Sequence, residues 1–562
     1  MRKLSYCYLI VLVFFINNKI TSQQWDGLTY YSNSNSTIGR LVDTNSATIK
    51  TYNFTGGTGY STHFLPGGDF YRSVVNSGNV LSGGGMTGRI QKLDYNGTIL
   101  WDYTYSSSTY CLHHDICPMP NGNVLVISYD VKTATDVTNA GGTFVGSMWS
   151  EKIMELKPVG TNSAVVVWEW KVWDHLVQNV NSSAANYQTS IVNNPQLLNI
   201  NYSAKKDWLH MNGVDYNPIL DQIAISSHNL NEWYIIDHST TTAEAASHIG
   251  GNSNKGGDIL YRWGNPAAYS APGSTILNVT HDVHWVKEGI PSEGDLVGVN
   301  NRGVTSPSSK TTIDKITSTR VNYNYSYTAG TAFLPTTYNA RHTSTGYSSN
   351  MGSSNQFPNG NQMICLAMLG SIYEINSAGT ILWTLNTSGS CAQSHRYSLC
   401  YLTNPAPSQP TISLSGIDLV STPATTYQWY VNGNLIPAAT NQTITPSTNG
   451  VYVVRTTDVN GCVYVYSAGY LVGQIPTGIT SYQKSKQLII YPNPSNGIFN
   501  ILNNNPLITQ INYTIYDLSG KQIINQKNNS VIDLTDYQEG IYIVKIQTNE
   551  SQVETFKLNN IK

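Results

Sequence analysis

The sequence predicts an all-β protein, in which a ring of antiparallel meanders is followed by two small β-sandwiches. Three observations predict it. Only 11% of the 562 residues are Asp, Glu, Lys or Arg, while the chain carries 38 Tyr and 46 Gly beside much Asn, Ser and Thr. Tyr and Thr suit pleated strands, and Asn, Ser and Gly suit tight turns. A meander-like unit near residue 77 recurs near residue 359, the two aligning without a gap, with looser relatives between them. After about residue 404 the pattern changes to short alternating strands with frequent turns.

The chain opens "MRKLSYCYLIVLVFFINNKITSQQ". Arg2 and Lys3 precede a short apolar run, Leu9 to Ile16, and Ser22 offers a small residue for cleavage. Residues 1–22 therefore read as a secretory signal peptide; the run is too short for a membrane span. The formal net charge of −2 argues against an electrostatically driven nucleic-acid binder.

The repeat comes next. "SGNVLSGGGMTGRIQKLDYNGTILWDY" from Ser77 and "NGNQMICLAMLGSIYEINSAGTILWTL" from Asn359 align Gly78 with Gly360, Gly88 with Gly370, Gly97 with Gly379 and Trp101 with Trp383. Each reads as apolar strand, Gly break, alternating strand, turn and "TILW" strand. Looser relatives lie between: "NGNVLVIS", "KIMELKP" and "VVVWEW"; "LDQIAISS", "EWYIIDHS" and "GDILYRWG"; and "EGDLVGVNN". Such units over some 380 residues suggest a β-propeller of about five to seven blades. The close similarity of the first and last units fits a closed ring better than a large sandwich or a β-helix.

"NPAPSQPTISLSG", residues 404 to 416, reads as a linker. The strands after it, with Trp429 early and Tyr452 late, suggest an Ig-like sandwich to about residue 474, although no cysteine pair flanks the tryptophan. Residues 485–562 form a last small β-sandwich. Its "YPNPSNGIFNI", "YDLSGKQI" and "LTDYQEGIYIVKI" resemble the C-terminal type A sorting domain of the type IX secretion system of Bacteroidota. That resemblance implies export to the cell surface or beyond, and the type IX machinery as a partner. In an exported chain Cys111 with Cys117, and Cys391 with Cys400, are spaced for local disulfides. Cys365 reads as a buried free thiol, and Cys462 has no near partner.

Four polar-dense stretches in the ring carry candidate chemistry: "CLHHDIC" (His113, His114, Asp115), "DWLHMNGVDYNPILDQIAISSHNLNEWYIIDHST" (His210, Asn212, His228, His238), "GGDILYRWGNP" (Arg262, Trp263) and "THDVHWV" (His281, Asp282, His284). Histidines on separate blades can meet at the centre of a ring. They offer a nucleophile, general acids and bases, or donors to an anion. The spacing lacks the paired-histidine pattern of a strong zinc site, so no metal is expected. On a regular strand His281 and His284 point to opposite faces, so His281 faces the channel and His284 and Trp285 support it. His175, His238 and His395 read as structural histidines.

The run "HHD … PNGNVL … VVVWEW … DHLVQ … DWLHMNGVDYN … LDQIAISSHNLNEWYIIDHSTTTAEAASH … GNSNKGGDILYRWGNP … HDVHW" resembles bacterial aryl-sulfate sulfotransferases, and especially their Bacteroidota relatives, over about residues 25 to 403 of a ring domain read as 23–403. The resemblance implies a six-bladed propeller. It implies sulfuryl transfer from a phenolic sulfate ester to a phenol by ping-pong through a sulfohistidine, without a nucleotide donor or any cofactor. His281 matches the nucleophile, while His210 and His114 match histidines that hold sulfuryl oxygens and assist the phenols. The roles of the adjacent His113 and His114 are interchangeable in the sequence. His228 stands where the family has an arginine, a change that weakens a fixed anion site; Arg262 and Arg302 are the candidates to compensate. Asp115 and Asp282 are candidates to fix histidine tautomers. The altered site leaves two alternatives, a cell-surface binding module for sulfated or glycan ligands and a metal-dependent hydrolase.

Overall fold

The structure, a computed structural model, describes residues 23–473, 488–493, 495–503, 509–517, 520–548 and 553–561. The expected signal peptide lies outside them. The described chain is all-β apart from a few single-turn helices. It divides into two compact units at residues 475 and 476.

In the first unit six four-stranded antiparallel sheets follow one another along the chain. The first pairs Leu28–Ser32, Ile38–Val42 and Thr48–Asn53 with a fourth strand, His395–Tyr397, from the far end of the region. The next four sheets begin with β1 (Thr58–Phe64), β2 (Tyr110–Pro118), β3 (Met211–Asn217) and β4 (Thr280–Trp285). The sixth begins with Ser353–Gln356.

Alternation along the strands buries both faces of a sheet. In the fourth sheet Ile223, Ile225, Tyr234 and Ile236 enter the core shared with the third sheet. Ala224, Trp233 and Ile235 enter the core shared with the fifth. A separate apolar cluster fills every junction between neighbours, including that between the sixth sheet and the first, where Met363, Ile372 and Trp383 meet Val42. Six sheets thus have six interfaces, and the contacts return to their starting point.

The two repeat units agree only in their second halves. Gly88–Leu93 and Ile99–Thr104 correspond to Ser371–Ile375 and Ile381–Asn386. The expected strand after Ser77 is a loop, whereas its counterpart Gln362–Leu366 is a strand. The glycine triplet 83–85 removes the side chains a strand would pack, and its backbone lies against site histidines instead.

Still in the first unit, residues 412–472 form two small sheets around Leu419, Trp429, Tyr452 and Val454. Trp429 is buried and donates to the Asn441 carbonyl. The cysteine pairing differs from expectation: Cys400 bonds Cys462, and Cys111, Cys117 and Cys391 are free, as is the buried Cys365. Cys111 and Cys117 sit near opposite ends of one strand, and a rise of about 3.3 Å per residue holds them too far apart to bond; the disulfide instead ties the end of the ring region to the two small sheets. Glu288 strengthens that junction by accepting from Tyr430 and Tyr466 and pairing with Arg455. The second unit is a separate two-sheet body around Phe499, Ile515, Ile532 and Val544.

Candidate active site

The site is built by one local device used four times. β1 to β4 are the first strands of consecutive sheets, and each contains a register shift. These fall between Thr58 and Thr62, Leu112 and Ile116, Met211 and Gly213, and His281 and His284. A bulge bends a strand and re-aims its side chains. Tyr60 and His114 lie within their bulges, His210 directly precedes the third, and His281 opens the fourth. The backbone is left-handed at His114, His210 and Asp282, with φ of 53°, 54° and 57°. That conformation costs roughly 1–3 kcal/mol per non-glycine residue and persists where surrounding packing imposes it.

The result is a circuit of aromatic rings. His114 and His210 have centroids 4.7 Å apart, His210 and His228 5.1 Å, and His228 and His281 5.5 Å, all edge to face. Tyr60 closes the circuit, 5.0 Å from His114 and 6.4 Å from His281. Its hydroxyl is buried without a hydrogen-bond partner. Gly85 covers His114 so closely that a Cβ there would lie 2.1 Å from the ring; its φ is +66°.

Neutral carboxamides and a carboxylate set the tautomers. Asn301 donates its amide to the carbonyls of Ser348 and Met351, which leaves its Oδ1 to accept from His281 Nδ1 at 2.7 Å. His281 Nε2 therefore keeps its lone pair, and the Met351 N–H approaches it at 3.3 Å. Asn229 donates to the Asp207 carbonyl and accepts from His228 Nδ1 at 2.9 Å. His210 Nδ1 donates to Asp207 Oδ2 at 2.7 Å. Burial pushes His114 and His281 well below the ordinary imidazole value, and the neighbouring histidines add to it. Burial, then His210, takes His228 down to about 4. These three rings are neutral near pH 7. A neutral imidazole has a free lone pair, which suits a nucleophilic nitrogen.

The four histidines singled out from sequence, His114, His210, His228 and His281, thus converge. His113 sits behind them, stacked on Tyr129 at 3.8 Å, with its Nδ1 2.9 Å from His114 Nδ1. His284 points elsewhere, to Gln356 and Asp282, but not for the expected reason: the bulge pairs His281 with Val299 and His284 with Val297, so strand parity no longer separates them. Asp115 and Asp282 do not orient circuit histidines; Asp115 faces His63, and Asp282 faces His284 and the Ser354 N–H. Arg262 is buried in an ion pair with Glu232, and Arg302 is exposed and donates to Tyr347, so neither replaces a cation at His228. His238 is framed by Asp221 and Glu155, and His395 by Asn355 and Gln393. Sequence reasoning missed Tyr60, Asp207, Asn229 and Asn301. Asp207 and Asn229 stood inside the histidine motifs, beside their histidines; nothing in "TGYSTHF" marks Tyr60.

Residues 71–393 match the profile of the family described as Arylsulfotransferase (ASST), and residues 489–558 match that of the secretion system C-terminal sorting domain. No curated protein matches the chain. Among solved structures, a protein of unknown function from Bacteroides caccae is 10% identical with a TM-score of 0.38, covering 66% of this chain and 99% of its own. A periplasmic gluconolactonase from Pseudomonas aeruginosa is 9% identical with a TM-score of 0.26, covering 89% and 100%. Catalytically inactive virginiamycin B lyase from Staphylococcus aureus is 10% identical with a TM-score of 0.30, covering 71% and 92%. Likenesses this distant say nothing about the reaction.

Proposed function

The chain belongs to the arylsulfotransferase family, and from that premise we propose that it moves a sulfuryl group from a phenolic sulfate ester to a phenol, by ping-pong through a sulfohistidine at His281. Its C-terminal domain directs export through the type IX secretion system to the cell surface or outside. The six sheets are read as the six blades of a propeller, with residues 404–474 as a linker and Ig-like domain and 485–562 as the sorting domain.

One observation carries the mechanism: four imidazoles converge, and the tautomer lock at Asn301 leaves His281 Nε2 with its lone pair. In the first half-reaction Nε2 attacks sulfur. The N–S bond forms as the S–O bond to the aryl group breaks, and the phenolate leaves with the bonding pair and takes a proton from a neighbouring imidazolium. In the second, a phenol yields its proton to the same imidazole, its oxygen attacks sulfur, and the N–S bond breaks. His210, His114 and His228, once protonated against the substrate anion, hold the sulfuryl oxygens as charge develops. The reaction needs neither nucleotide nor metal in this reading. Incubating the mature chain with an aryl sulfate and a second phenol should give transfer, with an acid-labile sulfuryl group on His281. Full transfer by His281→Ala would overturn the mechanism.

A second reading rests on His228. The side chain at that position is a neutral ring and not a fixed cation, which favours a cell-surface binder of sulfated or glycan ligands without turnover. Sustained turnover removes this reading.

A further inference from the structure

Three motif segments outside the histidine circuit, "DHLVQ", "AEAASH" and "KGGDILYRWG", come together at one place on the ring. His175 ends the turn Val172–His175, directly after the outer strand of the third sheet, Ser163–Lys171. His248 lies just beyond the helical turn Thr242–Ala245, and Asp258 just before the outer strand of the fourth sheet, Tyr261–Trp263. His175 Nδ1 is 3.1 Å from Asp258 Oδ1, and His248 Nδ1 is 2.7 Å from the same oxygen. The three candidate donor atoms all lie within 4.8 Å of one another.

The hydrogen bonding around His175 fixes its chemistry. Its Nε2 is 2.8 Å from the Ala245 carbonyl, which only accepts, so Nε2 carries a proton. With that proton placed on Nε2, the other ring nitrogen, Nδ1, faces a carboxylate oxygen, a contact that a proton on Nδ1 or a metal ion held by both groups can satisfy. The loop is shaped to hold this contact. A Cβ at Gly257 would lie 1.9 Å from the Ala245 oxygen and 2.5 Å from His175 Nε2, and the Gly257 carbonyl accepts from Trp170 Nε1 at 2.7 Å. A backbone carbonyl on the distal ring nitrogen is the usual way proteins orient a metal-binding histidine.

We propose that His175 Nδ1, His248 Nδ1 and Asp258 Oδ1 bind a divalent first-row transition ion, zinc foremost, with a further ligand position toward solvent. Two imidazoles and one carboxylate suit zinc. In a tetrahedral zinc site the donors stand about 3.4 Å apart, so the present 2.7 and 3.1 Å separations must open by about 0.7 and about 0.3 Å. The His248 side chain is 62% exposed and borders a cavity of about 340 Å³ that also touches Asp174, Asn186 and Gln188. An entry path therefore exists. The ion would staple the Gly-rich loop 246–258 to the neighbouring sheet, remote in role from sulfuryl transfer.

The test uses the full mature chain without a polyhistidine tag, stripped with EDTA and titrated with Zn²⁺ by calorimetry, with metal content and melting temperature measured. One equivalent is expected, with a raised melting temperature. His248→Ala, at an exposed residue, should weaken binding at least tenfold and abolish the thermal shift; Asp258→Asn should do the same, and His281→Ala should keep both. Absence of a stoichiometric site, which is what an extra proton on His175 Nδ1 predicts, overturns the proposal. So does an equivalent that survives His248→Ala or is lost in His281→Ala.

Discussion

Asn301 Oδ1 lies 2.7 Å from His281 Nδ1, and both amide hydrogens of Asn301 are committed to the carbonyls of Ser348 and Met351. The amide cannot flip without losing those two bonds, so it accepts from the imidazole and fixes which ring nitrogen is basic. Asn301→Leu removes this lock while keeping similar volume. We expect kcat for aryl-sulfate turnover to fall by on the order of 10²-fold with KM changed far less, since the loss falls on the reacting nitrogen. A rise in KM alone, with kcat intact, would show that Asn301 only shapes the pocket.

If His228 faces the substrate anion as proposed, substrate binding should be pH-dependent. Burial and His210 hold its folded value at about 4, so the ring is neutral in the free protein above about pH 5. A bound sulfate ester favours the imidazolium, and binding then takes up a proton. Affinity should weaken as pH rises, by up to about tenfold per unit for one linked proton. His228→Arg supplies a permanent charge. It should flatten the KM profile between pH 5 and 8 and lower KM about tenfold at the alkaline end. An unchanged profile would mean that His228 does not face the anion.

The sequence showed the ring but not the way it aims its side chains. The strands "LDQIAISS" and "EWYIIDHS" were legible as short apolar runs whose side chains alternate between two buried faces, and Ile223 and Ala224 duly enter different cores. The same alternation supplied the wrong reason for His284 turning away from the circuit, because the bulge beginning at His281 leaves no mark in residue type. It also turned residues 77–86 into a strand, since a glycine triplet that fits over His114 looks like a turn break. The four circuit histidines were legible because a histidine is chemically conspicuous. Tyr60 was not, since it is one of 38 tyrosines. Cys400 and Cys462 are 62 residues apart, so their pairing depends on how two bodies dock and not on local spacing.

His238 should give the fold an alkaline limit. Burial lowers its value, but the Asp221 and Glu155 carboxylates outweigh this and raise it to about 9. A histidine raised on folding contributes fully below its unfolded value of about 6.5, and the contribution disappears as pH climbs through about 9. With Asp221 partly exposed, the contribution is about 1–3 kcal/mol at neutral pH. His238→Gln should therefore melt lower than the wild type at pH 6, with the difference shrinking toward pH 10. A constant difference across that range would assign the effect to packing against Trp168 instead.

The junction between the ring region and the two sheets at 412–472 should depend jointly on the Cys400–Cys462 bond and on Glu288. The disulfide closes a loop of about 60 residues, which in the chain-entropy picture stabilises by about 4 kcal/mol. Glu288 accepts from two tyrosine hydroxyls and pairs with Arg455, so its loss leaves three polar groups without their partner in a largely buried contact. Cys400→Ser with Cys462→Ser should leave the ring's own melting transition in place, because its six inter-sheet cores contain neither cysteine. It should instead open residues 404–411 to limited proteolysis. Adding Glu288→Gln should speed that cleavage further, and Glu288→Gln alone should have a smaller effect, since the covalent tie still holds the two bodies together. Equal protection in all three variants would show that apolar packing alone keeps the small sheets in place.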